Sequence, residues 1–433
     1  METIQQPPIQ IVDIQETPKS AWLVTFVAAL FFFYEFIQGT MFNSMAEPLM
    51  RAFEMDAEQL GYLSGMHYLA NVLFLFPAGM MLDRFSTKRL ILIAMYISVI
   101  ATFLLAMTSN YYLALICRFL TGIGAAFCLL SCFRLATRWF PTKRMALVTG
   151  LIVTMAMTGG MVAQTPMTLL VEAAGWREAI MVDAVIGLLF IVLISIYVSD
   201  YPPGKEAEVV AQRKQLSQIG FWSGLRQSYF NLQNISAAIY TSLMNTPVGI
   251  LGALIGSLYL QQVYGFSALE ASYASMCIFI GTIIGGPSVG WISDTIGRRR
   301  LPMIIGALAS LALIFLMLNA ENWALWQWML MFFALGLSTS TQVISYPTVA
   351  ESNSLVLTAT SVSVVSIITQ GGIAVLQPYF GRLLQTHWDG ELINGAPLYA
   401  ATDYAYAMTM IPMGFVIALI AALLVKETYC RRQ

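Results

Sequence analysis

The chain has 433 residues, of which 58% are hydrophobic and 10% are charged, and its formal net charge is −1. A soluble domain carries about 25% charged residues, so this composition indicates an integral membrane protein. A nearly neutral chain gives no sign of nucleic-acid binding, and the five cysteines show neither metal-ligand nor disulfide spacing. Residues 1–20 are polar and lack the apolar centre of a cleavable signal, so we expect a cytoplasmic tail.

Twelve apolar segments are long enough to cross a membrane, because a helix needs about 20 apolar residues to span the hydrocarbon core. The predicted spans 1 to 12 cover residues 21–45, 58–82, 90–108, 112–138, 145–171, 178–199, 233–261, 268–293, 300–319, 323–349, 357–384 and 402–425. Spans 2 and 8 follow helix-start signatures of the capping-box type, DAEQ (56–59) and SALE (267–270). We therefore predict an all-α membrane protein.

Residues 201–230 form the longest polar stretch between spans and separate spans 6 and 7. We read this stretch as a cytoplasmic linker between two six-helix bundles, 21–200 and 231–426, and residues 427–433 as a second cytoplasmic tail.

The two halves repeat each other in sequence. GMMLDRFSTKR (79–89) matches GWISDTIGRRR (290–300), and GGMVAQTP (159–166) matches GGIAVLQP (371–378) in nearly the same register. Two parallel six-helix repeats, with a site between them near the midplane, are a transporter architecture. The pattern therefore predicts two pseudo-symmetric bundles.

Lysines and arginines in the loops predict the orientation, because positively charged loops stay on the cytoplasmic side. With the N-terminus inside, and with Arg118 and Arg134 of span 4 set aside, the opposite side carries only Arg51, Arg177 and Arg382. We therefore place both termini in the cytoplasm. The short loops fit a bacterial inner membrane.

Residues 20 to 427 resemble the major facilitator superfamily. The family's loop motif, Gly-x-x-x-Asp-Arg-x-Gly-Arg-Lys/Arg, is matched in the first half by Gly79, Asp83, Arg84, Lys88 and Arg89, with Ser86 at the second glycine. The second-half copy is Gly290, Asp294, Gly297, Arg298 and Arg299. CRFLTGIGAA (117–126) is similar to the family's Arg-x-x-x-Gly-x-Gly pattern in span 4, whereas the efflux-antiporter signature is absent from span 5.

The resemblance implies that the two loop copies latch the halves together when the cytoplasmic side is shut. Gly79 and Gly290 would permit close helix approach. Asp83 and Asp294 would accept hydrogen bonds or face the positive N-terminal end of a neighbouring helix. We expect the pair Arg134 and Arg138, one turn apart at the inner end of span 4, to serve this charge network.

Charged side chains inside the membrane are costly and are functional candidates by default. Glu35 lies in span 1 with Gln38 close beside it, His67 and Asn71 lie one turn apart in span 2, and Arg118 lies in span 4. Counted at 1.5 Å per residue, Glu35, His67 and Arg118 fall at similar depths. We predict that Glu35 and Arg118 either pair or alternately engage a proton and a charged substrate.

Other roles stay open for these residues. Glu35 and Arg118 could form a fixed ion pair that only orients helices, and His67 could make a helix-packing hydrogen bond. Asp183, near the outer end of span 6, is expected to be interfacial.

The second half offers no candidate charge deep inside the membrane, because its few charged residues within the predicted spans lie near their ends. Its cavity candidates are polar: Asn245 and Thr246 in span 7, Gln342 and Tyr346 in span 10, and Gln370 in span 11. For each of them, packing or helix–helix hydrogen bonding is an alternative. Pro247 is expected to bend span 7.

These features predict a secondary active transporter for a small carboxylate-bearing solute (an organic acid, amino acid or small peptide), working by proton symport. A proton-coupled exporter of drugs or metabolites, a uniporter, and a sensor that kept the fold are the alternatives. There is no nucleotide-binding Gly-x-x-x-x-Gly-Lys-Ser/Thr motif, which argues against ATP coupling and against an enzyme. We expect a monomer in the lipid bilayer, with no cofactor besides the proton and the substrate as its partner.

Overall fold

The computed structural model describes residues 19–141, 144–202, 231–353, 358–393 and 395–431. The predicted tail at 1–20 and the linker at 201–230 lie almost wholly outside these residues, as does the side chain of Asp83.

The first half is helical throughout its predicted spans. Its helices are Lys19–Thr40, Ala46–Phe53, Ala57–Arg84, Thr87–Met107, Tyr111–Trp139, Met145–Val162, Thr165–Ala174 and Trp176–Tyr197. A 3₁₀ turn, Met41–Ser44, ends span 1, and span 5 combines Met145–Val162 with Thr165–Ala174.

The second half follows the same plan with more interruptions. Its helices are Leu232–Met244, Gly256–Tyr264, Ala268–Ile296, Arg300–Leu318, Leu325–Thr339, Ser345–Glu351, Thr358–Gln385, Ala401–Met408 and Met410–Leu424. A π-helical turn, Val248–Gly252, interrupts span 7, and a 3₁₀ turn, Ser340–Ile344, interrupts span 10. Between spans 11 and 12, β1 (Leu392–Ile393) pairs antiparallel with β2 (Ala396–Pro397).

Within the described residues, eleven helices are long and apolar enough to cross a membrane, and the bent pair in span 7 makes a twelfth. The predicted all-α architecture is therefore confirmed. Both predicted capping boxes form: the backbone N–H of Gln59 donates to Asp56 at 2.8 Å, and that of Glu270 donates to Ser267 at 3.2 Å.

Span 7 bends by 56°, but later in the chain than Pro247. The bend lies between Gly252 and Gly256, after the π-helical turn. A Cβ atom at Gly256 would lie 2.0 Å from the carbonyl oxygen of Leu251, so the chain can turn back this tightly only at a glycine. Gln377 of span 11 donates to the carbonyl of Gly249 at 2.9 Å, which satisfies a backbone acceptor inside the turn.

The two halves pack closely at the side of the molecule that carries β1 and β2, which we call the hairpin end. Here span 2 contacts span 11. A Cβ atom at Gly61 would lie 2.6 Å from the carbonyl oxygen of Gln377, and one at Gly381 would lie 2.1 Å from that of Ala57. Such distances are too short for a side chain, so glycine permits this contact.

Hydrogen bonds also join the halves at the hairpin end. The backbone N–H of Ser257 donates to Asn43 Oδ1 at 3.0 Å, and Asn43 Nδ2 donates to Ser257 Oγ at 3.1 Å. The backbone N–H of Ala57 donates to the hydroxyl of Tyr399 at 3.0 Å. Asn43 thus binds the first turn of Gly256–Tyr264, the helix that follows the bend in span 7.

The opposite side, which carries both copies of the loop motif, is the motif end. A Cβ atom at Gly79 or at Gly290 would meet nothing within 4 Å. The close helix approach expected at these two glycines is therefore not made in this conformation, because the halves contact each other at the hairpin end instead.

Candidate functional site

Glu35 is buried inside the first half, with 3% of its surface exposed. Its Oε1 accepts a hydrogen bond from Ser98 Oγ of span 3 at 2.5 Å. The same oxygen lies 2.7 Å from where a Cβ atom at Gly124 would stand, so the glycine of span 4 makes room for the carboxyl group. Its Oε2 has no hydrogen-bond partner among the described residues. Glu35 therefore faces spans 3 and 4.

Arg118 is fully buried, and its guanidinium stands over the ring of Phe42 at 4.4 Å from the centroid. None of its three guanidinium nitrogens has a hydrogen-bond partner in the part of the chain that the structure describes. Glu35 and Arg118 make no ion pair there, although they lie close enough for their charges to interact. Of the two arrangements that the sequence predicts, the direct pair is not made in this conformation.

His67 is tied to span 4 by its ring. Its Nδ1 lies 3.1 Å from Thr121 Oγ1, and that hydroxyl donates to the carbonyl of Arg118 at 2.8 Å. Because a hydroxyl has a single proton, Nδ1 is the donor to Thr121. Asn71, one turn along, is also buried. This geometry suits a helix-packing hydrogen bond for His67.

The sequence predicts an interfacial Asp183, and the structure shows this side chain buried between spans 1 and 6. It is 2% exposed, and it accepts a short hydrogen bond from Gln38 Nε2 of span 1. Span 6 begins at Trp176, so Asp183 lies seven residues, or about 10 Å, inside its helix. Tyr34, one turn before Gln38, donates to Thr102 of span 3 at 3.3 Å.

Two of the five polar candidate residues of the second half form a hydrogen bond with each other. Gln342 Nε2 of span 10 donates to Asn245 Oδ1 of span 7 at 3.3 Å. Thr246 is buried and donates to the carbonyl of Ser242 in its own helix at 3.4 Å.

Tyr346 and Gln370 are half-buried, on spans 10 and 11. The structure does not bring them into the Asn245–Gln342 contact.

At the motif end of the first half, the loop motif is held by a residue that the sequence did not single out. Asp200, after span 6, accepts from the backbone N–H of Lys88 at 2.9 Å and makes a short hydrogen bond with Ser86. Arg138 Nη1 lies 3.6 Å from Asp200 Oδ1. Ser86, in place of the motif's second glycine, accepts from the N–H of Arg89 at 3.2 Å and so caps span 3.

The second half repeats this arrangement with different residues. Arg299 contacts Asp294 at 2.6 Å and Glu351 at 2.7 Å. Glu427, after span 12, accepts from the backbone N–H groups of Arg299 at 2.7 Å and Arg300 at 2.9 Å. Burial by itself lowers the pKa of Arg299, but the bonds to Glu351 and Asp294 outweigh it, and the pKa is raised.

The remaining motif residues lie at the surface or in turns. Gly297 ends span 8 with φ +68°, a conformation that favours glycine. Arg84, Arg89 and Arg298 are exposed, and Arg134 is half-exposed near the end of span 4.

Buried charges between the helices of a multi-pass bundle are of the kind that membrane transporters use to bind ions and solutes. The family model of the Major Facilitator Superfamily matches residues 22–376, and the chain belongs to that family. A solved bacterial homolog of the human lysosomal transporter Spinster, inward-facing and unoccupied, superposes with a TM-score of 0.71 at 18% identity, covering 96% of this chain and 97% of that one.

Two curated relatives are more similar in sequence. The probable sulfoacetate transporter SauU of Cupriavidus necator is 27% identical over 48% of this chain and 47% of its own length. The probable galactarate/D-glucarate transporter GudP of Escherichia coli is 24% identical over 60% of this chain and 65% of its own length. The match thus spans less than two thirds of either relative.

Proposed function

We propose that the protein is a secondary active transporter that moves a small carboxylate-bearing anion by alternating access, coupled to proton symport. It acts as a monomer in a bacterial inner membrane, with both termini in the cytoplasm and no cofactor besides the coupling proton. The observation that carries the proposal is the buried guanidinium of Arg118, which has no hydrogen-bond partner among the described residues.

Burying a guanidinium costs several kcal/mol unless other groups replace its hydration. The planar fork of N–H donors in arginine matches a carboxylate bidentately. The ring of Phe42 lies against the guanidinium, with its centroid 4.4 Å from Cζ. A substrate anion would supply the acceptors that Arg118 lacks.

The names of the relatives support the same class of solute. Sulfoacetate, galactarate and D-glucarate are all organic anions that carry a carboxylate. Because the identities are low and the matches partial, they support the class of solute and not one particular compound.

Glu35 is the group that we assign to proton coupling. Its charge and that of Arg118 interact without a direct contact, so an anion bound at Arg118 competes with the carboxylate for the same positive charge. Desolvation favours the protonated form of a carboxyl group, and a nearby cation favours the ionised form. Anion binding therefore favours proton uptake by Glu35.

The contacts between the halves support a state that is open towards the motif end. The bonds of Asn43 to Ser257 and of Ala57 to Tyr399 close the hairpin end. In the proposed cycle these contacts separate, and the loop motifs of the motif end come together around Gly79 and Gly290. We assign the motif end to the cytoplasm, because its loops carry most of the lysines and arginines.

Uptake into proteoliposomes with an imposed pH gradient tests the proposal. The probes are sulfoacetate, D-glucarate, sialic acid and, as non-anionic controls, a neutral sugar and a cationic drug. We expect at least one anion to accumulate when the outside is acidic and neither control to do so. Accumulation of the drug in exchange for protons would instead establish the efflux antiporter. If none of the anions accumulated, the proposal would be contradicted.

A further inference from the structure

A second carboxyl group lies in the buried interior of the first half, beside Glu35. Asp183 of span 6 is 2% exposed and Gln38 of span 1 is fully buried. The amide nitrogen of Gln38 donates to Asp183 Oδ2. The other oxygen of each group, Asp183 Oδ1 and Gln38 Oε1, has no hydrogen-bond partner among the residues described. The carboxyl group of Asp183 and the neighbouring amide of Gln38 thus each keep one unused hydrogen-bond acceptor.

An amide is an uncharged side chain that can satisfy a carboxyl group in both of its protonation states. Its NH₂ group donates to an ionised carboxylate, and after a half-turn its carbonyl accepts from the O–H of a carboxylic acid. Burial of an ionised carboxylate without a cation is costly, and such groups commonly become neutral. The pairing of Asp183 with Gln38 accommodates that change without moving either helix.

The groups that face Asp183 leave it without a cation. Span 1 presents Tyr34, a neutral phenol, and Glu35, whose negative charge when ionised would repel that of Asp183. Span 3 faces this region with the hydroxyls of Ser98 and Thr102, which bond Glu35 and Tyr34.

Two further elements complete the surroundings. The half-helix Thr165–Ala174 packs against span 6, and its one charged residue, Glu172, is exposed. Span 4 carries Arg118 and Cys128, which interact with Glu35 and not with Asp183.

We propose that Asp183 and Gln38 form a second proton-binding site in the first half, alongside Glu35. A proton from water bonds to one oxygen of the Asp183 carboxylate. The resulting acid donates its O–H to Gln38 Oε1 once the amide has turned, and release to water reverses both steps. This inference rests on the proposed proton coupling and adds a second coupling group to it.

The position of Gln38 connects this site to the contact between the halves. Gln38 lies in the last turn of Lys19–Thr40, directly before the 3₁₀ turn Met41–Ser44. That turn carries Asn43, which holds Ser257 of the second half at the hairpin end. Protonation of Asp183 therefore changes the hydrogen bonding of Gln38, five residues before Asn43. In the proposed cycle Asn43 must release Ser257 when the hairpin end opens.

Infrared difference spectroscopy of the purified full-length protein in liposomes, recorded across a pH titration, tests the second site without any substrate. We expect two carboxylic C=O bands from buried acids, of which Asp183→Asn removes one and Glu35→Gln removes the other. The matched control is Asp403→Asn, because Asp403 is also buried but accepts from the backbone N–H of Ala400 at 2.8 Å, and it should leave both bands in place. An unchanged spectrum for folded Asp183→Asn protein overturns the proposal.

Gln38→Met keeps the proposal testable if Asp183→Asn does not fold. It removes the amide partner while keeping the length of the side chain, so the Asp183 band should shift in frequency and its titration midpoint should move. The absence of both changes contradicts the role of Gln38 and Asp183. Since no substrate is added, the infrared result decides the second site independently of which anion, if any, the uptake assay finds.

Discussion

The interiors of the two halves differ in charge although their folds repeat. In the first half, Glu35, Arg118 and Asp183 are buried well within their helices. In the described ranges of the second half, the buried charged residues are Arg299 and Asp403, and both lie at helix ends. The two halves therefore share the framework and the loop motifs, whereas, among the residues that the structure describes, only the first half buries charged side chains well within its helices.

The second half replaces charge with neutral hydrogen bonds. Tyr240 binds Thr341 at 2.7 Å and the carbonyl of Met303 at 2.9 Å, and Gln342 reaches Asn245 at 3.3 Å. Neutral groups recognise the shape and hydroxyls of a solute but contribute little to holding an anion. The difference suggests that the first half binds and couples, and that the second half selects.

Arg118→Gln should produce the largest loss. A hydrogen bond to a charged group is worth about 1.5–3 kcal/mol, and each 1.4 kcal/mol is tenfold, so loss of a bidentate contact lowers anion uptake by about a hundredfold. The control is Arg382→Gln, an exposed arginine that should leave uptake within about twofold of wild type. Equal uptake by the two variants would contradict the claim that the first half binds the anion through Arg118.

Glu35→Gln should uncouple transport rather than stop it. Coupling between two binding sites is typically worth about 1–3 kcal/mol, so accumulation driven by the pH gradient should fall about 5- to 150-fold, while exchange of labelled anion continues. Glu172→Gln, at an exposed carboxyl group, is the control. Accumulation by Glu35→Gln at the wild-type level would remove Glu35 from the coupling step.

Asn245→Ala and Gln342→Ala should change which anion is preferred. A neutral hydrogen bond contributes about 0.5–1.5 kcal/mol, so uptake of individual anions should change about 2- to 12-fold, and by different factors for different anions. Ser310→Ala, which removes a hydrogen bond to Ser338 outside the Asn245–Gln342 contact, should leave the order of preference unchanged. An identical change for every anion would show that the second half does not select.

Asp83→Asn and Asp294→Asn should have the smallest effect. Asp294 pairs with Arg299 but its side chain is 65% exposed, and an exposed pair is worth about 0–1 kcal/mol. We expect the rate of conformational exchange to fall no more than about fivefold, with the order of substrate preference unchanged. Stopped-flow transport with two anions checks this, and a changed order would place these residues in the binding site.

The sequence predicted the framework well because hydropathy, helix caps and repeats are local properties. The twelve spans, the capping boxes at Asp56 and Ser267 and the family all follow from short segments of sequence. Counting residues also placed Glu35 and Arg118 at similar depths. It could not show that Glu35 turns towards Ser98, because that depends on how helices are rotated against one another.

Asp183 and the bend in span 7 show the same limit. Hydropathy places Asp183 near a helix end, and only the packing of span 1 against span 6 reveals its bond to Gln38. Pro247 interrupts the helical hydrogen bonding of span 7, but the bend lies where the backbone of Gly256 closely approaches that of Leu251. Asp200 and Glu427 were missed because a loop residue that caps another helix leaves no periodic signal.

The central claim is that an anion at Arg118 causes a proton to bind in the first half. The most direct test is to add each anion of the panel to the purified protein in weakly buffered solution and to follow the pH. The claim predicts that the anion that binds makes the solution more alkaline, and that Glu35→Gln reduces this change while still binding the anion. Binding without proton uptake in the wild type, or an undiminished pH change in Glu35→Gln, would contradict it.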